Sequence, residues 1–95
     1  MTIIYAQQVQ DDILAMKMYI SGGLDSITTS NIVAKIKEKV SDLEIFPKRY
    51  KFWKNSGYRF FSVKNYIVFY RYDEPAETIF IERVIYARRD IDTLL

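Results

Sequence analysis

Six side chains in the second half of the chain are of types that do chemistry together: Arg59, Arg71, Glu82, Tyr86, Arg88 and Arg89. Guanidinium groups neutralise an anionic centre, and a carboxylate or phenol moves a proton. Tyr86, with an ordinary phenolic pKa of about 10, would serve as an acid and poorly as a base. Glu82 is the only acidic residue inside a strand-like run, and its structural reading is an ion pair with a neighbouring arginine. Arg83 lies in an apolar run, so it too is expected to pair with a carboxylate. Arg88 and Arg89 have two readings: they cap the sheet and pair with Asp90, or they contact a target.

Composition narrows the chemistry further. The chain has no histidine and no cysteine. A His-based triad, a zinc site and a disulfide framework are therefore excluded. The acidic residues are scattered, so no metal is expected, nor an organic cofactor or a small-molecule substrate. Charge is distributed unevenly. From Phe46 to Tyr72 the charged residues are Lys48, Arg49, Lys51, Lys54, Arg59, Lys64 and Arg71, all positive. They form either a solvated rim or an anion-facing surface. No stretch of about 18 apolar residues occurs, and no basic segment leads into an apolar run. The expectation is a protein that stays in the cytoplasm and makes no membrane contact.

The elements that must position these residues follow from periodicity. At 95 residues, with 49% of them hydrophobic, the chain is read as one packed domain, residues 1–95. Thr2–Tyr5 reads as a short edge strand. Val9, Ile13, Met16 and Ile20 recur at helical spacing and form one apolar stripe. Gly22-Gly23 is expected to end that helix, and Asp25 or Ser26 to cap the next. The second stripe is Ile32, Val33, Ile36, Val40 and Leu43, closed by Pro47. Two striped helices joined by a short loop form an antiparallel hairpin.

After Pro47 the period changes. Tyr58–Val63, Tyr66–Tyr72 and Thr78–Tyr86 are aromatic and β-branched, and read as strands. Lys64-Asn65 makes a hairpin turn, with Asn65 expected to take positive φ. Asp73–Glu77 makes a second turn. The fold class is α+β: an N-terminal edge strand, then a helical hairpin packed on one face of an antiparallel sheet, in the order β-α-α-β-β-β with a short C-terminal segment. The central strand places Tyr66, Val68, Tyr70 and Tyr72 on one side and Ile67 and Phe69 on the other. A sheet covered on one side only usually shows polar residues on its free face. Two readings follow: an ordinary tyrosine-rich face with its hydroxyls in water, or a second face covered by a partner.

These residues resemble a known family. Asp42–Pro47 (DLEIFP) is similar to the helix-to-loop junction of the RelE/ParE toxins. Val63–Tyr70 (VKNYIVFY) is similar to their second hairpin, and Arg83–Asp90 (RVIYARRD) to their last strand and its exit. The resemblance runs in order over nearly the whole chain. It implies the toxin of a bacterial type II toxin–antitoxin pair, neutralised by a cognate antitoxin that wraps a C-terminal segment around it. RelE-like members cut mRNA on the ribosome. ParE-like members poison DNA gyrase and are not known to hydrolyse RNA.

RNA cleavage by the internal 2′-hydroxyl needs a base, an acid and positive charge on the pentacovalent phosphate. The nucleases of the family carry lysines and arginines on the central strands. Aligned on Tyr66, those positions hold Tyr58, Phe60 and Ile67 here. The histidine common before the R-R-D exit is Tyr86, and the tail Ile91–Leu95 lacks the late tyrosine of some nucleases. The resemblance therefore falls nearer the ParE-like branch, with DNA gyrase as partner. The alternatives are a ribosome-dependent mRNA endonuclease, with ribosome and mRNA as partners, and a degenerate homologue that binds antitoxin without toxicity. Whether the chain is an enzyme stays open between them. A free-standing RNA-binding domain fits poorly, since none of the three glycines lies in a strand interior. For a nuclease the catalytic set would be Arg59, Arg71, Glu82, Tyr86 and Arg89, converging on one sheet end. Target contact is expected at Arg59, Tyr86, Arg88 and Arg89, and antitoxin contact at Met18, Tyr19, Arg71 and Tyr72.

Overall fold

The computed structural model describes residues 1–20 and 26–95, and of Tyr19, Ile20 and Ser26 the backbone alone. The order is β1 (Thr2–Tyr5), α1 (Gln7–Ile20), α2 (Ser26–Asp42), β2 (Arg59–Val63), β3 (Tyr66–Asp73), β4 (Thr78–Tyr86) and α3 (Ile91–Leu94). The roles expected of Gly22-Gly23, Asp25 and the Ser26 side chain at the helix ends lie outside the described residues.

The strands lie in the order β1-β4-β3-β2. The pairs β2–β3 and β3–β4 are antiparallel, as strands joined by tight turns must be. At the edge, β1 runs parallel to β4, with Thr2 opposite Thr78 and Tyr5 opposite Ile81. The sheet is therefore mixed rather than antiparallel throughout. The tight-turn argument does not reach β1, because the whole helical hairpin separates it from the other strands. A connection of that length permits a parallel return.

A bulge decides which β4 residues face the helices. Phe69 pairs with Arg83 but Tyr70 pairs with Ile81, so Glu82 is the extra residue. By plain alternation Val84 would turn away from Ile79 and Ile81. The inserted residue returns Val84 and Tyr86 to their side and sends Ile85 to the other.

Both helices lie on one face of the sheet. Val9 and Met16 of α1, and Ile32, Ile36 and Val40 of α2 with Leu43 beyond it, pack with Phe61, Val68, Tyr70, Ile79 and Ile81. Tyr70 is wholly buried, and its hydroxyl donates to the Pro47 carbonyl oxygen at 3.0 Å. Of the expected helix core, Ile13 is half-buried against this cluster. Val33 instead lines the groove between the helices with Ile13, Lys17 and Lys37, and the Ile20 side chain is not among those described. In the β2–β3 turn the positive φ falls on Lys64, at 56°, and not on Asn65.

The tyrosine face of β3 is the helix face, and the second face is covered by the chain itself. Ile67, Phe69, Ile85 and Ile91 are buried there under Trp53, Tyr58, Phe60, Leu94 and Leu95. Trp53 meets Phe60 and Phe69 edge to face, with centroids 5.1 and 5.5 Å apart, the arrangement that the ring quadrupole favours. Lys54 donates to Asp92 at 2.6 Å and the Trp53 indole N–H to the same carboxylate at 3.1 Å, tying the 52–58 loop to α3.

Candidate functional site

The predicted residues separate into two groups. Arg59 opens β2 opposite Tyr70, while Tyr86 closes β4 opposite Tyr66. Tyr66 and Tyr70 are four residue steps apart along β3, about 13 Å at roughly 3.3 Å per residue. Arg59, Arg71, Glu82, Tyr86 and Arg89 therefore do not converge on one end of the sheet. The bulge and the length of β3 set the two groups apart.

In the first group the charges are engaged. The Arg59 guanidinium donates to the Tyr50 carbonyl at 2.7 Å and the Lys48 carbonyl at 3.3 Å. It also stacks on Phe52, 4.1 Å from the ring centroid. Arg71 lies 3.9 Å from the Phe80 centroid and donates to Glu82 at 3.2 Å. Glu82 thus holds the ion pair expected of it.

The second group surrounds the exit of β4. Tyr66 and Tyr86 pair across the strands with ring centroids 5.5 Å apart. Burial raises the Tyr66 phenol above its ordinary value, and the neighbouring Tyr86 raises it further. The Ala87 N–H donates to the Asn65 carbonyl at 2.8 Å and the Arg89 N–H to the Tyr86 carbonyl at 3.0 Å, which turns the chain off the sheet. Arg88 and Arg89 are exposed. Neither makes an ion pair with Asp90 among the described residues. The Asp90 carboxylate instead accepts from the Thr93 hydroxyl at 2.7 Å. A small cleft lies between Asp12, Met16, Tyr66, Tyr86 and Arg89.

One contact beneath this exit escaped the sequence. Asp12 on α1 takes a bidentate pair from Arg83, with both N···O distances 3.0 Å, and accepts the Val84 backbone N–H at 2.8 Å. Arg83 also donates to the Leu94 carbonyl at 2.5 Å. A carboxylate was expected for Arg83 but not identified. The available signal was position: Asp12 is three residues after Val9 and four before Met16, within the buried stripe of α1.

The residues expected to meet an antitoxin also divide. Asp12 bonds to Val84, and Met16 lies beside Tyr86, so α1 runs toward the Tyr86 end of the sheet. Met18 continues in that direction and is 70% exposed. The Tyr19 side chain lies outside the described residues. Arg71 and Tyr72 pair with Phe80 and Ile79 at the opposite end.

Among the described residues no three of His, Cys, Asp and Glu gather as a metal site. No described helix is long and apolar enough to cross a membrane. The strand, the helical hairpin and the three-stranded meander define a small domain of the RelE/ParE toxin fold. Solved structures agree. The chromosomal ParDE toxin–antitoxin system of P. aeruginosa superposes with a TM-score of 0.76 at 15% identity, covering 93% of this chain and 97% of that one. The intact RelBE complex of E. coli gives 0.64 at 13% identity, covering 93% and 98%. The RelBE2 complex of Mycobacterium tuberculosis gives 0.63 at 20% identity, covering 90% and 95%. No curated protein matches the chain. The pattern of the ParE toxin of the type II toxin–antitoxin system, parDE, matches residues 3–91, and the chain belongs to that family.

Proposed function

We propose that this ParE-family toxin arrests growth by binding DNA gyrase, and that a cognate antitoxin holds it inactive. The observation that carries the first part is the filling of the second sheet face. Of the positions where nuclease relatives are expected to carry cations, Ile67 is buried in the apolar cluster of that face, and Tyr58 and Phe60 form part of its cover with Trp53, Leu94 and Leu95. A scissile phosphate would have to displace that apolar cover and would meet no cation beneath it. Tyr86, Arg88 and Arg89 present a phenol and two exposed guanidinium groups at the chain exit. Such a surface suits contact with a protein better than proton transfer, since aromatic and arginine side chains dominate binding energy at interfaces. Arg59 is removed from this surface by its distance and by its backbone hydrogen bonds.

The antitoxin reading rests on family membership, on the toxin–antitoxin complexes among structures of the same fold, and on the exposed apolar residues of α1, Leu14 and Met18. A segment contacting Met18 and Tyr19 and reaching Arg71 and Tyr72 must run the length of the sheet. Six residues of β3 span about 20 Å at roughly 3.3 Å per residue, a distance an extended segment of similar length covers. The interface would then be long, as neutralisation at low concentration requires.

The test adds purified protein to gyrase supercoiling reactions and, separately, to translating ribosomes with mRNA. Loss of supercoiling with intact mRNA is the expected result. Codon-dependent mRNA cleavage with normal supercoiling would overturn the gyrase reading.

A further inference from the structure

The cleft at the exit of β4 holds polar groups that the fold does not use. Asp12, Ala15 and Met16 of α1 line it from one element, and Tyr66, Tyr86 and Arg89 from the strands and their exit. Tyr66 is only 8% exposed. Its hydroxyl has no hydrogen-bond partner among the described residues, yet it is not sealed from solvent. The opening beside it is the cleft. The Tyr86 hydroxyl and the Arg89 guanidinium are likewise without a partner among the described residues. Buried polar side chains normally find a partner within the fold. A buried phenol that opens unpaired on a cleft marks a place for a ligand atom.

Charge and size say which atom. The Asp12 carboxylate is taken by the Arg83 guanidinium and the Val84 N–H. That pair cancels, so the Arg89 charge is the uncompensated one at the cleft. Asp90, next to it in sequence, is bonded to Thr93 on α3. Lys64 and Arg88 add positive charge nearby, each one residue from the hydrogen bond between Ala87 and Asn65. Neither pairs with a carboxylate among the described residues. The cleft holds about 30 Å³, room for two water-sized groups at roughly 10–15 Å³ each. Two oxygens on one carbon fit that space.

We propose that the cleft receives a glutamate side chain from an acidic segment of the target protein, an inference that rests on reading the Tyr86–Arg89 surface as the target-binding one. The carboxylate takes hydrogen bonds from Arg89 and the two phenol hydroxyls, and bonds to an ionised acceptor are the strong ones. Its methylenes lie against Ala15 and Met16. A phosphate of a nucleic-acid strand would satisfy Arg89, but it has no stem to carry it past these side chains to Tyr66. Lys64 and Arg88 meet further carboxylates of the segment at the rim, where charge steers association.

The test titrates the isotope-labelled full chain with a peptide of alternating glycine and glutamate, followed by NMR. The same peptide with glutamine for glutamate, and a thymidine strand of equal charge, are titrated in parallel. The glutamate peptide should shift the amides of Ala15, Tyr86 and Arg89. Arg89→Gln should weaken it about 10- to 100-fold and Tyr66→Phe about 5- to 10-fold, the scale of hydrogen bonds to a charged group. Lys48→Gln, an equal loss of charge at the Tyr72 end of the sheet, should leave the affinity unchanged. Circular dichroism melts confirm that each variant folds. No shift at those amides, equal affinity for the glutamine peptide, indifference to Tyr66→Phe, or tighter binding of the strand would each overturn the proposal. Gyrase is measured separately, and Tyr66→Phe should raise the concentration that half-inhibits supercoiling by the same factor. A wild-type chain that binds the peptide in this pattern but leaves supercoiling intact would support the cleft and overturn the gyrase reading alone.

Discussion

Replacing Asp12 with Ala tests how the exit of β4 is held. In the folded chain this carboxylate is 7% exposed and Arg83 is 18% exposed, so water does little to replace either partner. The substitution removes two charge-assisted hydrogen bonds and orphans the Val84 N–H. Breaking one side of a buried pair costs about 3–5 kcal/mol. Arg83 keeps the Leu94 carbonyl and some solvent, which places the loss near the lower end, about 3 kcal/mol. A domain of this size has a total of about 5–14 kcal/mol, so the variant should stay folded but melt some 12–24 °C lower. Urea denaturation followed by circular dichroism reads the loss directly. A double-mutant cycle with Arg83→Met isolates the pair, and the coupling should account for most of the single-variant cost. A loss below about 1 kcal/mol, or a coupling near zero, would show that the pair does not hold α1 to β4.

Ile36→Ala should cost about 2–5 kcal/mol, because Ile36 is 3% exposed in the centre of the helix-side core; denaturant titration measures it. Hydrogen bonds from Lys54 and then Trp53 hold the Asp92 carboxyl below its ordinary value of 3.8. A depressed folded-state pKa means that the contact is fully present above that ordinary value and is lost as pH falls through the lower, folded one. Fluorescence of Trp53, the single tryptophan, should change in that acid window, and Asp92→Asn should remove the transition at the loop while leaving the chain folded at neutral pH. Arg89→Glu should abolish growth arrest while the variant still co-purifies with its antitoxin. Persistent toxicity in a folded variant would remove Arg89 from the target surface.

The fold was legible where side-chain period carries the information. Both helical stripes and all three long strands could be read because each buries one face in the order the chain presents it. The direction of β1 was not legible. Four residues make a strand, but nothing in them records whether the chain returns beside them parallel or antiparallel. The bulge at Glu82 was equally silent, since one inserted residue leaves composition unchanged while reversing every face after it. The spatial split of the candidate site follows from the same gap. Arg59 and Tyr86 stand on strands whose register, not their spacing in sequence, decides whether they meet. Apolar residues on both faces of β3 were correctly noticed. What covers the second face was misassigned, because the cover comes from Trp53 and from a tail that reads as a short polar segment.

That cover bears on what the domain does. Electrostatic stabilisation of a developing charge is strongest where cations are fixed in a site that excludes water, and weak where they stand in solvent. Here the water-excluding surfaces of the sheet are both occupied by apolar side chains, one by the helices and one by the chain's own loop and tail. Arg88 and Arg89 are exposed at the chain exit. The one deeply placed arginine, Arg83, is neutralised by Asp12 and fastens α1, β4 and α3 together. A protein built this way places its charge where it steers and orients a macromolecular partner, and its packing where it keeps that surface rigid. The proposed action by contact with gyrase rests on this arrangement. Loosening Asp12 should then weaken target binding by disordering the exit around Arg89, even though Asp12 itself meets no partner.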